Sequence, residues 1–288
     1  MLTQVDRIQL VVPDGARAAR AFADLLGAAI AREDASAALG ARRTVLALGT
    51  SEVELLEPDG AGPVATFLAA TRGGVYAAGF ATRDAAAVSA GLRAQGVAFE
   101  ATGEQLLVAP EALGAPGLRV VVTPERTRER VGLASHLYEV TLLTSDWKGT
   151  ADTLARRFAL DPGGFVPIRS EEFGYEGSLT LFRRGLLDRV EAITPLDPAK
   201  TMGRFFARRG PSFYMCYVES DDTAALRERL LERAPRDFTG PREGPAPDNL
   251  WIHPAALGGL LLGVSRRTFA WTWSGSPERV QPLAGSRA

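Results

Sequence analysis

The feature that most constrains this chain is one pattern written four times. A strand runs into an acidic residue or a turn, a short amphipathic helix follows, and three further strands lead into the next copy. The openings lie at 5–14, 75–84, 137–146 and 212–222, and the helix-like runs at 16–27, 85–96, 147–160 and 223–234. Self-similarity of this kind specifies the architecture of a whole chain, because each copy must bury its apolar face against a neighbour.

Spacing supports the helices. Ala19, Phe22, Leu25 and Leu26 share a face ahead of Gly27, and Trp147, Ala151, Leu154, Ala155 and Phe158 do so behind a capping Asp146. Ala225, Leu226, Leu230 and Leu231 form a third stripe. Short β-rich runs predict strands at 44–48, 52–57, 119–123, 178–182, 189–194 and 259–265. The stretch 124–133, with five charged residues before Gly132, reads as an interdomain linker. The expected layout is a first domain over 1–125, a linker over 126–134, a second domain over 135–268 and a C-terminal tail over 269–288, polar and frayed from Ser274. Gly164 to Gly177 is the expected flexible lip, and Pro235 to Asn249 a second loop.

Size and charge narrow the function classes. The 288 residues suffice for two domains, and 46% apolar with 23% charged residues is a globular balance. A net charge of −1 gives no reason to expect nucleic acid or an anionic membrane as partner. The lone cysteine, Cys216, excludes an internal disulfide and fits a reducing cytoplasm. The first residues lack the basic-then-apolar layout of a secretory signal, and no apolar run approaches the roughly 18 residues of a membrane span. A cytoplasmic protein is expected.

Four βαβββ units in two pairs resemble the vicinal oxygen chelate superfamily, which includes glyoxalase I, methylmalonyl-CoA epimerase, extradiol dioxygenases and bleomycin-resistance proteins. The resemblance spans about residues 3–266; its most specific pieces are Ser51-Glu52-Val53-Glu54-Leu55-Leu56-Glu57-Pro58 and the run from Trp251-Ile252-His253-Pro254 to Leu262. It implies an α+β fold in which four βαβββ units make two half-open, eight-stranded, glyoxalase-like barrels, each with a concave site.

Metal-using relatives take one ligand from the first and one from the fourth strand of each unit, typically His, Glu, His and Glu. The resemblance aligns these positions with Arg7, Glu54, Ala77 and Val121 in the first domain, and with Glu139, Glu191, Tyr214 and Gly263 in the second. An arginine cannot ligate and alanine and valine offer no donor, so Arg7 beside Glu54 reads as an ion pair plugging the first site. No imidazole is offered in the second set, so no cofactor is expected; two carboxylates and a phenol leave magnesium as the one alternative. If units paired first-with-fourth, the sets would reshuffle, yet Glu139 and Glu191 stay together because one unit carries both.

Two carboxylates in an apolar cup lose hydration and repel each other, which raises one pKa and supplies an acid and a base near neutral pH. Glu139 as base, with Glu191 or Tyr214 as partner, are therefore the candidates for chemistry; alternatively each Glu is solvated or paired with Arg183, Arg189 or Arg204. Of 13 Phe, five Tyr and four Trp, only Phe22, Phe67, Tyr76, Phe80 and Phe99 precede residue 125. That skew points to the second domain as the ligand-binding one, with Phe173, Tyr175, Phe206, Phe213, Trp251 and His253 as candidate contacts. His253 also suits a turn hydrogen bond, His136 reads as exposed, and Cys216 as an inert buried thiol. Trp271 and Trp273 could cover a cleft or a dimer surface.

The favoured expectation is a metal-independent isomerase or lyase acting on a small, apolar or aromatic, oxygen-bearing molecule. Two rivals stand beside it: a non-catalytic binding or drug-sequestering protein of the bleomycin-resistance type, and a magnesium-dependent lyase or isomerase on the same carboxylates. A small-molecule ligand, no nucleic acid, no membrane, and compatibility with a homodimer complete the expectations.

Overall fold

A computed structural model describes residues 1–282. The first unit comprises β1 (Leu2–Val11), α1 (Gly15–Leu26), β2 (Ala29–Ser36), β3 (Ala41–Leu48), β4 (Ser51–Pro58) and α2 (Pro63–Thr71). The second comprises β5 (Gly74–Thr82), α3 (Ala85–Ala94), β6 (Glu100–Thr102), β7 (Gln105–Val108), α4 (Pro110–Leu113) and β8 (Val120–Pro124). The third runs through β9 (His136–Leu143), α5 (Trp147–Phe158), β10 (Val166–Ser170), β11 (Tyr175–Leu181), β12 (Arg189–Pro195) and α6 (Thr201–Arg209). The fourth holds β13 (Ser212–Ser220), α7 (Thr223–Arg233), β14 (Phe238–Thr239), β15 (Asn249–Ile252) and β16 (Leu261–Arg266). Two eight-stranded sheets result, ordered β2-β3-β4-β1-β5-β8-β7-β6 and β10-β11-β12-β9-β13-β16-β15-β14. Units therefore pair first with second and third with fourth.

The repeat has a local cause. Asp14, Asp84, Asp146 and Asp222 each cap a helix, their side chains accepting from the backbone N–H of Arg17, Ala87, Gly149 and Ala225 at 2.8, 2.7, 2.9 and 2.8 Å. Leu, Val and Ala of the helices and of one sheet face form a single core continuous between the two halves. Across that junction Val5 N–H donates to the buried Asp188 carboxyl at 2.8 Å, Leu137 N–H donates to Ser51 Oγ at 2.9 Å, and the Phe80 and Phe182 rings meet edge to face at 5.0 Å. Burial pushes Asp188 up to about 6 and His136 down. His136 is thus half-buried at the junction, not exposed.

Several expectations are corrected. The stretch 164–177 is largely a β10–β11 hairpin, not an open lip, and α2 and α6 are helices that the spacing did not reveal. The connection after β8 is no free linker: Gly49 and Val131 form a β-bridge, and Arg128 reaches Asp6 at 2.6 Å. Ser274 to Pro282 does not fray from the body, since Arg279 lies over the Trp271 ring at 4.0 Å and Gln281 C=O accepts from Arg266 at 2.6 Å. The remainder of the expected tail, 283–288, lies outside the described residues.

Each barrel carries the same bulge. On β1 the register against β5 slips between Val5 and Arg7, and on β9 it slips opposite Tyr217 and Val218, so Asp6 and Tyr138 join Arg7 and Glu139 on the concave side. Opposite Arg7 stands Gly79, where a Cβ would run into the Arg7 side chain. Gly79→Ala is accordingly expected to cost about 1–3 kcal/mol by overpacking. Gly91→Ala, on an open face of α3, should be neutral or stabilising, by up to about 1 kcal/mol. Urea denaturation of both variants checks this; equal midpoints would mean that the close approach at Gly79 does not matter.

Candidate active site

β9 and β12 are parallel neighbours, with Glu139 beside Arg189 and Thr141 beside Glu191. Strand alternation puts all four side chains on the concave face. Arg189 is fully buried (0% exposed) and Glu139 nearly so (1%). Glu139 Oε2 accepts from Arg189 Nε at 2.6 Å, with Nη2 also 2.6 Å away, while Nη1 donates to Leu187 C=O at 3.2 Å. The guanidinium sits over the Tyr138 ring at 5.2 Å, and the Tyr138 hydroxyl is 3.1 Å from Ser265 Oγ.

Glu191, 7% exposed, has no such cation of its own. Thr141 Oγ1 donates to its Oε2 at 2.6 Å, and Glu139 lies within hydrogen-bonding reach. Burial first, and the neighbouring Glu139 charge second, push Glu191 up to about 8, despite the opposing effects of Thr141 and Arg189. Two phenols share the space. Tyr175, in hydrogen-bonding reach of Glu191, and Tyr217, directly across from Glu139, are both pushed up, by burial and then by the carboxylates. Tyr217 OH accepts from Trp251 Nε1 at 2.8 Å, leaving its own proton to give. The Tyr217 ring fills the place that a Cβ at Gly263 would take, so this glycine makes room for the phenol.

The chain itself closes this hollow. Thr268 turns the backbone in the left-handed region (φ 62°), its N–H donating to Glu219 Oε1 at 2.8 Å. A 3-10 turn, Phe269–Trp273, then folds back over the concave face. Ala270 and Trp271 pack with Tyr138, Leu179 and Leu181, and the Trp273 ring lies 6.2 Å from Tyr217. The two tryptophans cover a cleft of their own chain.

The sequence candidates therefore divide. Glu139, Glu191, Tyr175 and Trp251 come together. Tyr214 does not: it is half-buried against Phe205, ring to ring at 5.0 Å, and Tyr217 holds the place assigned to it. The alignment that the resemblance implies misplaced the position, because β13 slips register twice against β9. For the same reason Gly79, not Ala77, faces Arg7. Phe213 is buried in the core between the two halves, Phe173 is 47% exposed in the turn before β11, and Phe206 is half-buried on α6. His253 Nε2 is 2.8 Å from Thr239 Oγ1, a link between the two strand ends. Cys216 is buried and its thiol pushed up by burial. Tyr217, Thr141 and Tyr138 escaped the sequence reading, and the closing turn was left open between a cleft and a dimer surface; the glycine at 263 was the one signal that a large side chain crosses there.

In the first barrel the same positions hold a closed ionic network. Arg7 lies 2.6 Å from Asp6, 2.7 Å from Glu52 and 2.6 Å from Glu54, and Gln9 and Gln105 donate to Glu54 at 2.8 and 2.6 Å. Burial works against the Glu54 charge, but Arg7, Arg43 and Gln9 hold its carboxyl below the ordinary range. The two barrels are charge-swapped copies: Arg7 beside Glu52 in one is Glu139 beside Arg189 in the other.

Neither donor set suits the divalent ion that the resemblance implies. Both lack imidazole, and the second has one of its two carboxylates engaged by a buried arginine. Among the described residues no three His, Cys, Asp or Glu side chains are grouped to hold a metal, and no helix is long and apolar enough to cross a membrane.

Residues 6–107 match the model of the Glyoxalase/Bleomycin resistance protein/Dioxygenase superfamily. Among solved structures, a variant of 4-hydroxymandelate synthase from Streptomyces coelicolor is similar over 93% of both chains, at 15% identity and a TM-score of 0.68. Methylmalonyl-CoA epimerase from Streptomyces coelicolor, in complex with 2-nitronate-propionyl-CoA, is 20% identical over 44% of this chain and 100% of its own (TM-score 0.39). The epimerase from Mycobacterium tuberculosis is 20% identical over 46% and 89% (TM-score 0.37). No curated protein sequence matches. The matched segment thus lies in the first half of the chain, and the whole chain shares the fold of the 4-hydroxymandelate synthase variant.

Proposed function

We propose that the second barrel binds a small, apolar or aromatic, oxygen-bearing molecule and moves a proton on it without a metal, as an isomerase or lyase. The first barrel, its site filled by salt bridges, serves as scaffold. One observation carries the reading: Glu191 is a buried carboxyl without a cation, pushed up to about 8, beside a carboxylate that is already paired with Arg189. A group that titrates near neutral pH can both give and take a proton within one turnover. Glu139 is tied to Arg189, so Glu191 is the proton carrier and Glu139 supplies the negative charge that keeps the proton on it. Tyr175 and Tyr217, neutral at physiological pH, can donate to a substrate oxygen as charge develops there.

Mass spectrometry of natively purified protein identifies a retained small molecule, and its incorporation of deuterium in D2O is then followed. Glu191→Gln is expected to retain the molecule while lowering exchange by about 100-fold or more. Undiminished exchange in that variant would falsify the assignment. Closure of the hollow by Trp271 and Trp273 favours a second reading, a non-catalytic binding or sequestering protein. Binding without any exchange in the wild type selects it. Magnesium dependence is disfavoured by the Arg189–Glu139 pair, and a chelator that leaves exchange unchanged is the expected control.

A further inference from the structure

A cavity of about 460 Å³ lies where the two halves meet, away from the second barrel's carboxylates. One wall comes from α2, the start of β5 and the segment around α4; the other is the turn into β13. Phe67 and Tyr76 line it with their rings edge to face at 5.1 Å, and Ser212 and Phe213 close it from the second half. Its size is that of a small-ligand pocket, and its walls are mostly apolar.

The one cation in the lining is Arg119. Its guanidinium carbon lies over the Tyr76 ring, 4.4 Å from the ring centre, a cation–π contact that holds the side chain at the cavity. Nearly every other arginine directed at the interior is tied to an acid or a carbonyl: Arg7, Arg43, Arg128 and Arg189 to acids, Arg209 to the carbonyls of Thr71 and Gly73. The Arg119 side chain makes no hydrogen bond and no ion pair with any described residue. A guanidinium held over a ring with its donors free, at the edge of an apolar cavity, is a receptor for one planar anion. Glu111, exposed on the same rim, raises the Tyr76 pKa alongside burial and would repel a second negative charge.

We propose that this interdomain cavity binds a monocarboxylate with a compact apolar or aromatic body, its carboxylate on Arg119 and its body against Phe67 and Phe213. The inference is independent of the reading given to the second barrel. Phenylacetate is the probe, with neutral phenylacetamide and dianionic benzylmalonate as comparisons, by isothermal titration at low salt. Saturable one-to-one binding of phenylacetate is expected, at least tenfold tighter than either comparison. Arg119→Gln should weaken phenylacetate at least tenfold and leave phenylacetamide unchanged. Ser212→Trp, which fills the cavity from the other half, should abolish binding, while Glu191→Gln leaves it as in the wild type. Thermal melts confirm that each variant is folded. Absence of saturable binding at millimolar phenylacetate, or equal affinity in Arg119→Gln, overturns the proposal. Loss of binding in Glu191→Gln with retention in Arg119→Gln overturns it too, and places the ligand in the barrel.

Discussion

Arg7→Ala is expected to destabilise the chain by about 3–5 kcal/mol, read as a fall in the urea midpoint at neutral pH. Arg7 is the hub of the first barrel, contacting Asp6, Glu52 and Glu54 at 2.6, 2.7 and 2.6 Å, with Glu54 entirely shielded from water. Without it, the nearest cation to Glu54 is Arg43 at 3.5 Å, Asp6 keeps Arg128 at 2.6 Å, and Glu52 keeps Arg32 at 3.2 Å and Arg128 at 3.5 Å. Glu54 then loses its one close buried cation, and the three desolvated acids keep only arginines that are shared or partly exposed, which costs far more than losing an exposed pair would.

A double variant separates charge from packing. Arg7→Leu with Glu54→Leu removes both partners together and should recover most of the loss, because an apolar pair of similar volume often equals a buried salt bridge. The acid limb of the stability profile offers a second readout. Asp6 and Glu54 have lowered pKa values, through Arg7 and its neighbours overcoming burial, so the stability that they contribute is present above their ordinary values of 3.8 and 4.5. It disappears as pH falls through the lowered folded values, and Arg7→Ala should shrink that acid-dependent part. A cost below about 1 kcal/mol would mean that water reaches these charges, and the plugged-site picture of the first barrel would be wrong.

The architecture was legible because its signals are local. An aspartate cap, a helical stripe and a glycine stop recur along the chain, and each such signal acts within a single turn. Glu139 and Glu191 were also legible, since regular alternation fixes their common face once the strands are known. What escaped depends on irregularity or on distance. The bulges that bring Asp6 and Tyr138 inward break the two-residue period, and the same irregularity moved the phenol from Tyr214 to Tyr217. The closing turn at Phe269–Trp273 is fixed by contacts with Tyr138, Leu179 and Leu181, remote in sequence. Arg189 was visible only as one of several candidate cations; its choice of Glu139 over Glu191 follows from register, with Arg189 directly beside Glu139 and two residues short of Glu191.

Glu191→Gln should make the protein more stable than the wild type above pH 8 and flatten its stability profile between about 6 and about 8. A carboxyl whose pKa is raised on folding holds its proton more tightly in the folded chain. Its contribution is full below the ordinary 4.5 and is lost as pH rises toward about 8, where the wild type must either bury a second charge beside Glu139 or open. Glutamine keeps the shape, accepts from Thr141 and donates toward Glu139, yet cannot ionise. Each pKa unit is worth about 1.4 kcal/mol, so removing this penalty is expected to gain on the order of a few kcal/mol at alkaline pH. Asp188, raised to about 6, and His136, lowered from 6.5, add slopes of their own at lower pH and remain in the variant, so the difference between the two proteins isolates Glu191. Chemical denaturation at half-unit pH steps, with the infrared band of the protonated carboxyl as an independent probe, reads both. Identical slopes in the two proteins above pH 6 would show that Glu191 is already ionised there. It could then give no proton at neutral pH, and the barrel would have to be a binding site without this chemistry.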